Sequence, residues 1–243
     1  MSRRIGIIVP FDFALDREYW QYTGPDASLH ITRTPYQSGP VSLELVSAVA
    51  DPAVVAQATR SLLKIAPHVI AYACTSGSFS EGSAGERGLR ETMLRAGARA
   101  AMTTSGALVE ALRALEVRRI AVGTPYVAAI GRRLVTFLES TGFEPVSLVN
   151  MELQDGICDV GDDEVVRLAE RAVRPGAEAL FLSCTNLPTV HLLAPLERRR
   201  GIPVLSANQV TMGAVRQMGG AHAAVNDQML FHHAAPGTRA VVL

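Results

Sequence analysis

Cysteine is scarce in this chain: three residues in 243, at positions 74, 158 and 184. So sparse and odd a set cannot build a disulfide framework and fits a reducing compartment, so the expected location is cytoplasmic. Net charge is missing too. Lys plus Arg and Asp plus Glu each number 23, which leaves no positive excess for a polyanion, and no nucleic-acid partner is expected. No apolar run approaches the roughly 18 uninterrupted residues of a membrane span. The apolar stretch after Arg3 and Arg4 is too short for a secretory signal, so no membrane partner is expected either. The six histidines show no metal-ligand spacing, and no metal is expected: His68 and His191 read as packing or capping residues, and His232-His233 falls in a weakly patterned end.

What is present is a chain that is 48% hydrophobic and long enough to bury a substantial core. Its pattern repeats. Arg3-Arg4-Ile5-Gly6-Ile7-Ile8-Val9-Pro10 is echoed by Arg118-Arg119-Ile120-Ala121-Val122-Gly123-Thr124-Pro125 at an offset of 119 − 4 = 115. Continuous apolar runs of this kind suit strands covered on both faces of a parallel sheet. Strands are expected at Leu29–Thr34 and again at Glu144–Val149, at His68–Ala73 and again at Ala179–Ser183. Helical spacing runs through Glu44–Ile65, with Asp51-Pro52 as an N-cap and first-turn pair. Further helices are expected over 85–96, 107–115, 126–140, 162–173, 188–200 and 207–218. Glu86, Arg87, Arg90, Glu91 and Arg95 read as the wet face of the first of these. The pattern predicts an α/β fold of two pseudo-symmetric flavodoxin-like halves, each a parallel sheet flanked by helices, with the active site in the cleft between them. Residues 1–116 plus a C-terminal segment from about 207 to 243 form the first half, and 117–206 the second. Within that segment, Gly219 to Leu243, with its Ala234-Ala235-Pro236-Gly237 break, reads as a tail.

Each half delivers one cysteine from the end of an apolar strand: Tyr72-Ala73-Cys74-Thr75-Ser76-Gly77-Ser78 and Leu180-Phe181-Leu182-Ser183-Cys184-Thr185-Asn186. A lone buried cysteine after a strand is ordinarily a small hydrophobe, but two in matched frames with matched Thr neighbours point to chemistry. A thiol at a helix N-terminus sees the positive end of the backbone dipole, which can bring its pKa from about 8.5 into the range of roughly 3.5 to 7.5. Thr75, Ser76, Thr185 and Asn186 follow the thiols where hydroxyls and backbone N–H groups can cradle a carboxylate. The expected substrate is a small carboxylic acid. Thiols on opposite sides of one carbon suit proton removal and return on opposite faces, or addition to a double bond followed by rotation and expulsion. Cys158 has no counterpart in the first half and reads as structural. Asp12, after the first strand, can face the site or cap the following helix.

The repeated halves, the two Cys-Thr pairs, Gly123-Thr124-Pro125-Tyr126 and Ser206-Ala207-Asn208-Gln209 resemble the aspartate/glutamate/hydantoin racemase superfamily. The resemblance covers about residues 3 to 218 and is nearest to the maleate cis-trans isomerase and arylmalonate decarboxylase branch. It implies that Cys74 adds to the alkene to give a covalent succinyl intermediate, that Cys184 handles the proton, and that Tyr126 hydrogen-bonds a substrate carboxylate. Asp12 and Asn208 join the expected substrate contacts. No cofactor is implied, and the family's habit of assembly suggests a homodimer or larger homo-oligomer. Three other activities stay open: an Asp/Glu-type racemase using both thiols as bases, a decarboxylase of malonate-type acids, and a non-catalytic acid-binding protein. The decarboxylases keep only the second-half cysteine, which speaks against that activity here. One departure stands out: Pro10-Phe11-Asp12-Phe13 occupies the place of the isomerases' Pro-Ser-Ser-Asn type loop, a change that suits a bulkier or more apolar acid.

Overall fold

The computed structural model describes residues 2–221 and 227–233. Its first half runs β1 (Arg3–Val9), α1 (Asp16–Tyr22), β2 (Ala27–Arg33), α2 (Leu43–Val49), α3 (Pro52–Leu62), β3 (Val69–Tyr72), α4 (Thr75–Phe79), α5 (Gly82–Arg95), β4 (Ala101–Thr103) and α6 (Thr104–Ala114). The second runs β5 (Arg119–Thr124), α7 (Ala128–Ser140), β6 (Glu144–Asn150), α8 (Asp162–Ala172), β7 (Ala179–Leu182), α9 (Leu193–Arg200) and β8 (Val204–Ser206); α10 (Ala207–Gly219) and a short α11 (Met229–His233) follow.

The strands form two four-stranded sheets in the orders β2-β1-β3-β4 and β6-β5-β7-β8, and every pairing is parallel. The repeat in the sequence is therefore a repeat in topology. Parallel neighbours need long crossovers, which the helices supply. Because both faces of each sheet are covered, the central strands β1, β3, β5 and β7 are buried almost throughout and read as unbroken apolar runs. From β1 the chain crosses to β2 on one side and β3 on the other, and β5 does the same with β6 and β7. At such a reversal the carboxyl ends of the strands border a crevice. Val9-Pro10, Cys74, Thr124 and Cys184 all lie at such ends.

Helix α10 leaves β8 and packs on α6, β1 and β3, joined to α6 by a 2.9 Å contact between the Thr104 and Thr211 hydroxyls. Two expectations need correction. Glu86 is not on a wet face: it is 7% exposed and accepts the Thr103 hydroxyl at 2.7 Å. That hydroxyl in turn accepts the Gly106 N–H at 2.9 Å as the N-cap of α6. The buried start of α6 needs an acceptor, and the capping hydroxyl has its own proton to place, which draws the carboxylate inward. Nor is the stretch after Gly219 a tail throughout. Gln228 and Leu230 are buried, and the Gln228 amide bonds Gln209 Nε2, Tyr22 Oη and the Val190 carbonyl. The Ala234-Ala235-Pro236-Gly237 break lies outside the described residues.

Candidate active site

Strand β3 ends at Tyr72, and Cys74 becomes the N-cap of α4 with ordinary extended backbone angles. Its Sγ accepts the Gly77 N–H at 3.4 Å and lies 3.9 Å from Ser76 Oγ. Gly77 is there for space: a Cβ would collide with Tyr72 Oη and stand 3.1 Å from Cys74 Sγ. Behind the turn, Ser78 and Ser105 share a 2.7 Å hydroxyl contact, and both bond the Thr75 carbonyl.

Cys184 is built differently, against the expectation of matched frames. It holds φ at +102°, a region that residues with a side chain rarely enter. No helix follows it directly: α9 starts at Leu193. Pro188 explains the difference, since a proline disfavours helical angles at the residue before it and supplies no N–H of its own. The turn is held by other means. Leu187 N–H donates to the Cys184 carbonyl at 3.2 Å, Asn186 N–H to Cys184 Sγ at 3.3 Å, and Ser183 N–H to the Gly123 carbonyl at 2.9 Å.

Both thiols open on one cavity of about 40 Å³, room for about three waters. Of the nine expected site residues, eight line it: Asp12, Cys74, Thr75, Ser76, Tyr126, Cys184, Thr185 and Asn186. The opposite wall is apolar, from Phe13, Val46, Val49 and Ile157 among others, and no Lys or Arg is among the described residues lining it. Tyr126 is buried, packs edge-on against Phe79 at 6.3 Å, and points its hydroxyl toward Cys184 and Ser76. Asn186 spends its amide on the backbone of the other half, donating to the Asp12 carbonyl at 3.1 Å and accepting the Ala14 N–H at 2.8 Å. Asp12 stands at the cavity rim with solvent on its outer side. It does not cap α1, whose N-cap is Leu15.

Asn208 is the ninth, and it does not line the cavity. It is buried behind the Cys184 turn, donating to the Thr185 carbonyl at 3.0 Å and to Glu18 Oε2 at 2.7 Å. Nothing in the sequence singles out Glu18, where it is one more charge in Asp16-Arg17-Glu18. Its visible signal is only that it falls among Tyr19 and Tyr22 on a short helix, at the spacing of a buried face.

The electrostatics also correct the expectation of ready thiolates. Burial pushes the Cys74 thiol up, against the lowering effect of the Gly77 N–H and the Tyr72 and Ser76 hydroxyls. Burial pushes Cys184 further, to about 12, against the Tyr126 hydroxyl and the Asn186 N–H. The helix dipole loses because α4 has five residues and no helix follows Cys184 directly, while both thiols are buried. Asp12 adds a like charge near both sulfurs, and partial burial raises its own carboxyl, offset in part by its backbone N–H and Arg33.

The family profile described as arylmalonate decarboxylase matches residues 42–231. The maleate isomerase of Nocardia farcinica is 33% identical over 229 residues, 87% of each chain. Among solved structures, arylmalonate decarboxylase carrying one Gly-to-Cys and one Cys-to-Ser substitution, in its liganded form, gives a TM-score of 0.88 at 28% identity, over 96% of this chain and 100% of that one. The Nocardia farcinica maleate cis-trans isomerase, as a Cys-to-Ser variant with a covalently bound succinylcysteine intermediate, gives 0.84 at 27% identity over 97% and 100%.

Proposed function

The chain belongs to the arylmalonate decarboxylase family, and we propose that within it this protein is a cofactor-independent cis-trans isomerase that converts maleate to fumarate. The observation that carries the reading is that Cys74 and Cys184, one from each half, open on a single cavity whose polar side is built from Thr75, Ser76, Tyr126 and Thr185.

The chemistry follows from that placement. Thr75, Ser76 and the backbone N–H groups of the two turns take one substrate carboxylate, with the Tyr126 hydroxyl beside them. Cys74, as thiolate, adds to one alkene carbon. The displaced electron pair moves to the neighbouring carbon, which takes the proton of the Cys184 thiol. The central bond, now single, rotates. Cys184 thiolate then removes a proton from that carbon, the C–S bond breaks, and the trans alkene leaves with Cys74 restored as thiolate. The high proton affinity of Cys184 suits the group that must arrive protonated, and the Gly77 N–H and Ser76 hydroxyl are placed to stabilise charge on Cys74. The covalent succinylcysteine of the Nocardia farcinica enzyme supports this order of events. In the solved decarboxylase variant one cysteine was introduced in place of a glycine, whereas this chain encodes both of its own, which favours isomerisation over decarboxylation. The three free thiols support a reducing, cytoplasmic setting. Among the described residues no helix is long and apolar enough to cross a membrane.

Intact-protein mass spectrometry with maleate tests the reading. Wild type is expected to show an adduct of substrate mass and to make fumarate; Cys74→Ser loses both, and Cys184→Ser keeps the adduct and loses turnover. Full turnover in both variants would overturn the mechanism. Solvent deuterium washed into the α-carbon of an amino acid, without any adduct, would reassign the protein as a racemase.

A further inference from the structure

One buried carboxylate belongs to neither the cavity wall nor the chemistry above. Glu18, in α1 of the first half, is 5% exposed and accepts four hydrogen bonds, all from the second half or from α10. Its Oε1 takes the backbone N–H groups of Thr189 at 2.7 Å and Val190 at 3.0 Å. Its Oε2 takes Asn208 Nδ2 at 2.7 Å and the Thr189 hydroxyl at 3.5 Å. Asn208 spends its other N–H on the Thr185 carbonyl, the residue after Cys184. Glu18 thus grips the segment that follows Cys184 at two points: Thr185 through Asn208, and residues 189–190 directly.

Immediately before the first of those grips is the backbone at φ +102°, at Cys184 itself. A non-glycine residue stays in such a conformation only where its surroundings over-determine it. Cys74 has ordinary angles and a helix to cap, and its turn is held by the Ser78 and Ser105 hydroxyls on the Thr75 carbonyl, with no carboxylate involved among those bonds. We propose that Glu18 is the positioning residue for Cys184, holding the strained turn that aims its thiol at the substrate carbon through Asn208 and the 189–190 backbone. The inference rests on the two-cysteine reading for its catalytic consequence, but its geometric content can be tested without substrate.

Glu18→Gln keeps size and shape and removes one acceptor. If the introduced amide oxygen keeps the two backbone N–H groups, the introduced NH₂ faces Asn208 Nδ2. Asn208 must then turn its own amide over to offer Oδ1, which has no hydrogen-bond partner among the described residues, and in doing so lets go of Thr185. The opposite orientation of the introduced amide loses the 189–190 backbone instead. Either way the Cys184 turn is released at one point. Asn208→Ala cuts the same link from the other end.

The experiment measures the alkylation rates of Cys74 and Cys184 separately, by peptide mass spectrometry after timed iodoacetamide, in wild type, Glu18→Gln and Asn208→Ala proteins. Circular dichroism confirms the fold; if Glu18→Gln does not fold, Asn208→Ala carries the test. Cys184 is expected to react at least about fivefold faster in each folded variant, with Cys74 within about twofold of wild type. With maleate, kcat is expected to fall about 100-fold, the cost of roughly 1 Å of misplacement, with KM little changed and the Cys74 adduct still forming. Unchanged rates, or both cysteines shifting together, would overturn the positioning role. A wild-type protein that neither binds maleate covalently nor isomerises it would instead remove the proposed function, while the alkylation split would still decide whether Glu18 holds Cys184.

Discussion

Tyr126 shows how one hydroxyl decides the state of a thiol. Its ring is locked by burial and by the edge-on contact with Phe79, so removing the hydroxyl leaves the packing in place. The same hydroxyl is the largest effect opposing burial at Cys184. Tyr126→Phe therefore raises the Cys184 pKa further and withdraws a donor from the carboxylate cradle. A hydrogen bond to a charged group is worth about 1.5–3 kcal/mol, so kcat/KM for maleate is expected to fall about 10- to 100-fold. Thermal denaturation of the variant should remain close to wild type; an unchanged kcat/KM would detach Tyr126 from the reaction. At this scale the sequence was most legible where chemistry is local. Cys74, Thr75, Ser76, Cys184 and Thr185 announce themselves because strand, thiol and hydroxyl are contiguous. Glu18 and Asn208 are 190 residues apart and meet only in the fold, so nothing near either one in the chain marks the pair.

The elements carry the cysteines with different mechanics, and glycine shows where space is short. In α4, Gly77 sits under Tyr72 Oη and Cys74 Sγ, so a methyl group has nowhere to go. Gly77→Ala is expected to cost about 1–3 kcal/mol by overpacking and to slow adduct formation at Cys74, because the N–H that meets Sγ must move. Gly88, in the next helix, α5, has no atom within 4 Å of an added Cβ; Gly88→Ala should stabilise by about 0.5–1 kcal/mol, mainly through the unfolded chain. Urea denaturation of the two variants compares them directly, and equal effects would mean that α4 yields as freely as open helix. The periodicity identified nearly all these elements, since buried parallel strands and capped helices leave strong local signals. It misjudged them where tertiary demand prevails: Glu86 turned inward to complete a cap, and the helix expected over 188–200 begins only at Leu193, while Pro188 keeps Leu187 from helical angles and a strained turn stands at Cys184 in place of a second α4.

For the molecule as a whole, the two halves bury the groups around the site, and that burial fixes how stability responds to pH. Cys74, Cys184, Tyr19, Tyr72 and Tyr126 are all buried, and burial raises the pKa of each above its ordinary value. An acid whose folded pKa is raised keeps its proton in the native state after the unfolded chain has lost it. Between the two pKa values the unfolded state binds fewer protons, so stability falls as pH rises. For Cys184 that window runs from the unfolded thiol, about 8.5, to about 12 in the fold; below it the group imposes no cost. The tyrosines join from about 10 upward. Unfolding free energy is thus expected to be level from about pH 7 to 8 and to decline from about pH 9, by at most about 1.4 kcal/mol per pH unit for each thiol. Cys184→Ala should make the decline between about pH 9 and 10 shallower, because the remaining slope there belongs to Cys74 and the onset of the tyrosines. Denaturant titrations of wild type and Cys184→Ala across this range give the slopes. An unaltered slope in the variant would mean that the Cys184 thiol is more solvated in the folded state than its burial indicates.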